Sequence, residues 1–150
     1  MTTSIFDIKI GDTASYTKTI IDADVVLFSC MAGSFNPLRI CDSFGKIAFH
    51  GKQIVNNDLI SGFIRAVLNT ELPGPRSVYL KQNLEFVAPV YTGDTITACV
   101  EVTARDPQKN QITLSTRCIN QDGREVIRGE ALMRPSNRTD SGTHRGANHQ

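Results

Sequence analysis

The apolar residues of this chain change period partway along. Between residues 54 and 70, Ile60, Phe63, Ile64, Val67 and Leu68 recur at helical spacing. From Ser77 onward apolar residues alternate with polar ones, the period of half-buried strands. Leu72-Pro73-Gly74-Pro75 separates the two regimes and stops the helix. One apolar helix followed by a run of strands predicts an α+β fold, an antiparallel sheet with one face packed on that helix.

The remaining elements follow from local signals. The first dozen residues read as a lead-in, with Gly11-Asp12 as a turn. Ala14 to Ile21 suits a strand. Asp22 reads as the N-cap of a short buried helix carrying Ala23, Val25, Val26, Leu27 and Phe28 and ending near Gly33. Residues 34 to 53 form a long loop, with Asn36-Pro37 forcing extended backbone and Gly45, His50 and Gly51 continuing the irregularity. Long loops inside small domains are usually functional. Strands are expected at 77–87, 95–103, 111–119 and 126–133. The second turns Ile96, Ala98, Val100 and Val102 inward, and Asp122-Gly123 joins the last two as a hairpin. Residues 1–134 then make one domain, and the polar stretch 135–150 reads as a disordered tail whose sequon, Asn137-Arg138-Thr139, arises by chance. A single sheet on one helix leaves open edges, which favours dimerisation.

Charge and cysteine usage exclude several functions. Over 150 residues the net charge is +1, so nothing marks a nucleic-acid or anionic-membrane surface. Cys30, Cys41, Cys99 and Cys118 form no CxxC pair and read as buried small hydrophobes, so no metal centre is expected, nor any cofactor. The N-terminus lacks the pattern of a signal peptide and no apolar run spans a bilayer, which predicts a soluble cytoplasmic protein.

Several segments resemble the MaoC-like hot-dog family, whose best-known members are (R)-specific enoyl-CoA hydratases. They are Asp24-Val25 with Phe28, Gly33-Ser34-Phe35-Asn36-Pro37-Leu38, Leu72-Pro73-Gly74, Tyr91-Thr92-Gly93-Asp94-Thr95 and Val100-Glu101-Val102-Thr103. The likeness covers residues 10 to 134 and implies a hot-dog fold with a ligand cleft at a subunit boundary. It also implies an acyl-thioester or related small-molecule ligand, carried by coenzyme A or an acyl carrier protein or free. The family's chemistry rests on an Asp-x-Asn-Pro-x-His motif, which holds and polarises a water. A backbone amide opening the long helix, in a His-Gly-Met-type motif, polarises the thioester carbonyl.

The chemical positions differ. Ser34 stands where the resemblance places the aspartate, and Arg39 where it places the histidine. A serine without a partner is no base and an arginine stays protonated, so neither moves a proton near neutral pH. Asn56 and Asn57, followed by Asp58, occupy the His-Gly position. They read either as the cap and first turn of the helix or as amide donors to a substrate carbonyl. Asn36 reads as loop architecture or as a lining residue. His50 with Asp58 is the one nearby acid–base pair. Asp58, Ser61 and Arg65 lie at i, i+3 and i+7 on one helix face, and Arg65 takes the place of a supporting serine of the hydratases. Arg65 is expected to pair with Asp58, leaving Arg39 for an anionic ligand. Three functions remain open: a divergent enzyme with a rebuilt cleft (cyclisation or isomerisation, for example), a non-catalytic subunit of a heterodimer, and a binding protein. The expected assembly is a homodimer, with a heterodimer as the alternative.

Overall fold

A computed structural model describes residues 4–36 and 52–137. Five strands form one antiparallel sheet: β1 (Thr13–Thr19), β2 (Val78–Phe86), β3 (Thr95–Asp106), β4 (Gln111–Ile119) and β5 (Glu125–Arg134), in the order β1-β3-β4-β5-β2. Two helices are described, α1 (Asp22–Ala32) and α2 (Asn57–Thr70). The helix α2 lies over β1, β3 and β4, and buries Ile60, Phe63, Ile64, Val67 and Leu68 against them. Opposite it, β3 turns Ile96, Ala98, Val100 and Val102 inward and β4 turns Ile112, Leu114 and Cys118. The expected wrapping of a sheet on the apolar helix is therefore present, with the inward set of β3 as its period required.

Five expectations are corrected. The long helix starts at Asn57 rather than Ile54, because Ile54 bridges Tyr91 and the Val55 amide donates to the Val90 carbonyl at 2.8 Å. The short helix α1 is peripheral: Val25 and Ser29 are buried, while Val26, Leu27 and Met31 are exposed. Its apolar residues are consecutive, and consecutive residues sit 100° apart on a helix, so no single face gathers them. Asp22 is its first helical residue and Ile21 its cap. The Ile21 amide donates to Asp24 Oδ2 at 3.0 Å; this bond, then the Lys18 ammonium, holds the Asp24 carboxyl below its ordinary value. Cys30 is exposed on α1 and Cys99 half-buried on the outer sheet face, so of the three described cysteines Cys118 alone is a core residue, its thiol pushed up to about 12 by burial. Finally, the lead-in belongs to the core through buried Ile5 and Ile8, and Ser4 pairs with Ser136, so Pro135 and Ser136 are part of the fold.

Candidate functional site

The site is built where four chain segments meet at one end of the sheet. Asp94, buried in the turn between residues 90 and 95, organises them. Its Oδ2 accepts from the Tyr91 amide and its Oδ1 from Gln121 Nε2, both at 2.9 Å. Its carbonyl accepts from the Ile20 amide at 2.9 Å, and the Gly93 amide donates back to the Ile20 carbonyl at 2.8 Å. Gly93 has φ 93°, a left-handed conformation that glycine adopts without strain. The same turn receives the lead-in of α2, because the Thr92 amide donates to the Gln53 carbonyl at 2.9 Å. Thus the Gly-Asp turn sets both the start of α1 and the start of α2.

The helix α1 ends at Gly33, φ 67°, and the Ser34 amide closes it on the Ser29 carbonyl at 3.0 Å. Beyond it Ser34 is half-buried and Phe35 and Asn36 are exposed. Arg39, Cys41 and His50, with the rest of 37–51, lie outside the described residues. The pairing of His50 with Asp58 therefore falls outside them as well.

At the start of α2 Asn56 is buried and caps the helix: its Oδ1 accepts from the Asp58 amide at 2.9 Å. Asn57 is half-buried and Asp58 exposed at the first turn. The carbonyl end of the Asn56 side chain is thus committed to the helix, as its reading as a cap required.

Along α2 the polar seam is arranged differently from expectation. Ser61 Oγ donates to the Asp58 carbonyl at 2.9 Å. Arg65 forms no ion pair with Asp58. Residues i and i+7 are two turns apart, roughly 10 Å of rise, and lateral interactions on a helix are made at i+3 and i+4. Arg65 instead lies over the ring of Tyr79 on β2, its guanidinium carbon 4.7 Å from the centroid. Tyr79 Oη donates to Gln82 Oε1 at 2.7 Å, and Gln82 Nε2 donates to Thr116 Oγ1 at 3.0 Å and to the Asn83 carbonyl at 2.9 Å. Thr116 is buried. Burial raises the Tyr79 phenol and the Arg65 charge partly offsets it. No periodicity singled out Tyr79, Gln82, Thr116 or Asp94, because each reads singly as an ordinary strand or turn residue. Asp94 alone carried a signal, the Gly-Asp dipeptide.

The arrangement supplies fixed dipoles and a cation. Asn56 takes the Asp58 and Leu59 amides, so α2 presents the Asn57 amide at its start, Ser34 a hydroxyl, and Arg65 a guanidinium. The three histidines of the chain, His50, His144 and His149, all lie outside the described residues, and no cluster of metal-ligating side chains occurs among the described ones. No helix among them is long and apolar enough to cross a membrane.

Comparison with known proteins places this architecture. The family model described as the MaoC like domain matches residues 8–122. The chain is 42% identical over 127 residues to an (R)-specific enoyl-CoA hydratase of Rhodospirillum rubrum, covering 85% of this chain and 88% of that protein. It is 37% identical over 128 residues to a 3-hydroxybutyryl-CoA dehydratase of Methylorubrum extorquens, covering 85% and 81%. Among solved structures, the unliganded R-hydratase PhaJ1 of Pseudomonas aeruginosa superposes with a TM-score of 0.87 at 32% identity, covering 91% of this chain and 87% of that one. With its five-stranded sheet on one apolar helix, this chain belongs to the MaoC-like family of enoyl-CoA hydratases and dehydratases and has the hot-dog fold.

Proposed function

We propose that this protein binds an acyl thioester, or a related carbonyl compound, in the family's cleft and acts on it by a reaction other than ordinary hydration, such as cyclisation or isomerisation. The observation that carries this reading is the pair Ser34 and Arg39 at the positions where the family's proton-transferring dyad is expected. Adding water across a double bond needs one group to take a proton and one to give it near neutral pH. A hydroxyl and a guanidinium do neither, yet both bind oxygen-rich groups well. On this reading Ser34 and Asn36 line the cleft and Arg39 faces the ligand from the loop. The side-chain amides of Asn56 and Asn57, at the start of α2, receive a carbonyl. Arg65 adds positive charge, and His50 with Asp58 is the remaining acid–base pair. The ligand arrives on coenzyme A, on an acyl carrier protein, or free, and the working unit is a homodimer. A non-catalytic subunit of a heteromeric hydratase is the second reading, and the same loss of the dyad favours it.

The test is hydration of crotonyl-CoA, followed by loss of the enoyl absorbance. Wild type is expected to turn over slower than an ordinary hydratase by a factor of about 10²–10⁴ for each lost proton-transfer group, without full multiplication. The double variant Ser34→Asp with Arg39→His is expected to regain part of that rate. A wild-type rate in the ordinary enzyme range would overturn the reading and direct attention to His50 and Asp58.

A further inference from the structure

We propose that Arg65 and Tyr79 together form an oxyanion-binding site, in which a guanidinium held over a phenol ring receives a carboxylate or phosphate of the ligand. Gln82 and Thr116 are its positioning residues. This inference rests on the acyl-thioester reading above and deepens it.

Arg65 shares with Lys52, which lies over the Tyr91 ring at 5.7 Å, a partner that is a ring face, while other cations of the fold are held by oxygens. Arg128 is bound in bidentate fashion by Glu85, Lys18 by Asp24, and Arg105 by the Ile5 carbonyl. Among the described residues no carboxylate pairs with Arg65, which lies 4.7 Å over the Tyr79 ring. A ring face satisfies the charge of a guanidinium but accepts few of its N–H groups, so the donor fork stays available for an anion. The ring is also fixed. Its hydroxyl is tied to Gln82, and Gln82 to buried Thr116, by bonds of 2.7 and 3.0 Å. That chain crosses from edge strand β2 to central strand β4, past β5. A guanidinium anchored in this way loses less freedom on binding than a free surface arginine. It sits on the same α2 flank as Asp58 and Ser61, about two turns from the helix start where a thioester carbonyl would be received.

Two sources supply such an oxyanion: a second acid group on the acyl portion, or a phosphate of the carrier. Affinities are to be measured by calorimetry for succinyl-CoA, butyryl-CoA and butyryl-pantetheine, with wild type, Arg65→Ala, Arg65→Lys and Tyr79→Phe, each checked for folding by its melting temperature. A lost charge-assisted contact predicts binding weaker by about tenfold to a hundredfold in Arg65→Ala. If that loss appears with succinyl-CoA and not with butyryl-CoA, the anion is an acyl carboxylate. If it appears with both coenzyme A esters and not with butyryl-pantetheine, the anion is a carrier phosphate. Arg65→Lys is expected to recover part of the affinity, and Tyr79→Phe, which keeps the ring and frees it from Gln82, to lower the same selectivity ratio several-fold. If wild type binds the thioesters and Arg65→Ala binds all three equally well, the oxyanion site is overturned and the acyl-thioester reading stands. If wild type binds none of them, both fall.

Discussion

Gly129 shows how much one position decides. It faces Leu84 across β2–β5 and Thr116 across β4–β5. A Cβ built there would run into the Asn83 backbone carbonyl, which cannot swing aside as a side-chain tip can. Alanine would force the two strands apart, beside the Gln82–Thr116 bond. Gly129→Ala is therefore expected to destabilise the fold by about 1–3 kcal/mol, as overpacking does elsewhere, and urea unfolding would measure it. A variant as stable as wild type would mean that the strands separate at no cost. The sequence carried no hint of this, since a lone glycine inside a strand is consistent with a bulge, a weak strand or a close approach. At Ser34 and Arg39 the reverse holds: on the proposed reading residue identity alone decides the chemistry, since a lone serine and an arginine move no proton near neutral pH.

At the scale of elements, α2 is the piece the chain specified most directly. Its five buried side chains share one face, and Asn56 starts it with a side-chain bond to the Asp58 amide at 2.9 Å. Removing that cap in Asn56→Ala is expected to lower stability by about 1 kcal/mol, read as a drop in melting temperature. Asn56→Asp keeps an acceptor and is expected to retain most of the stability. An Asn56→Ala protein that melts with wild type would show that the cap is not what holds the helix start. The apolar pattern predicts a boundary three residues earlier, because Ile54 and Val55 suit a helix. Their backbone groups, however, are taken by Tyr91 and Val90. Periodicity reports side chains, and the competing backbone partner is far away in sequence. The same blindness explains α1, whose apolar run suggested burial while Leu27 and Met31 stand exposed.

For the whole molecule, β1 and β2 end the sheet with no further strand beside them among the described residues, and the β2 side exposes Val78, Leu80, Phe86 and Val87. An edge strand with unpaired backbone groups and apolar side chains is a template for another chain. We expect sedimentation at micromolar concentration to give a species of two 16.5 kDa chains, and the double variant Leu80→Lys with Phe86→Lys to shift it toward monomer. A wild type that stays monomeric under those conditions would refute the dimer.

Fold class, the central helix and the strands of the C-terminal half were legible from the sequence, because hydrophobic period is a local property that burial on one face imposes on successive residues. The identities of Ser34 and Arg39 were legible too, because they depend only on which side chain stands at a position. Tertiary structure alone decided that Arg65 turns to Tyr79 rather than to Asp58, that Asp94 ties two site segments together, and that Ile5 and Ile8 complete the core. Each of these joins residues distant along the chain or sets aside a plausible neighbour. Such pairings are set by strand order and packing distance, which no local pattern encodes.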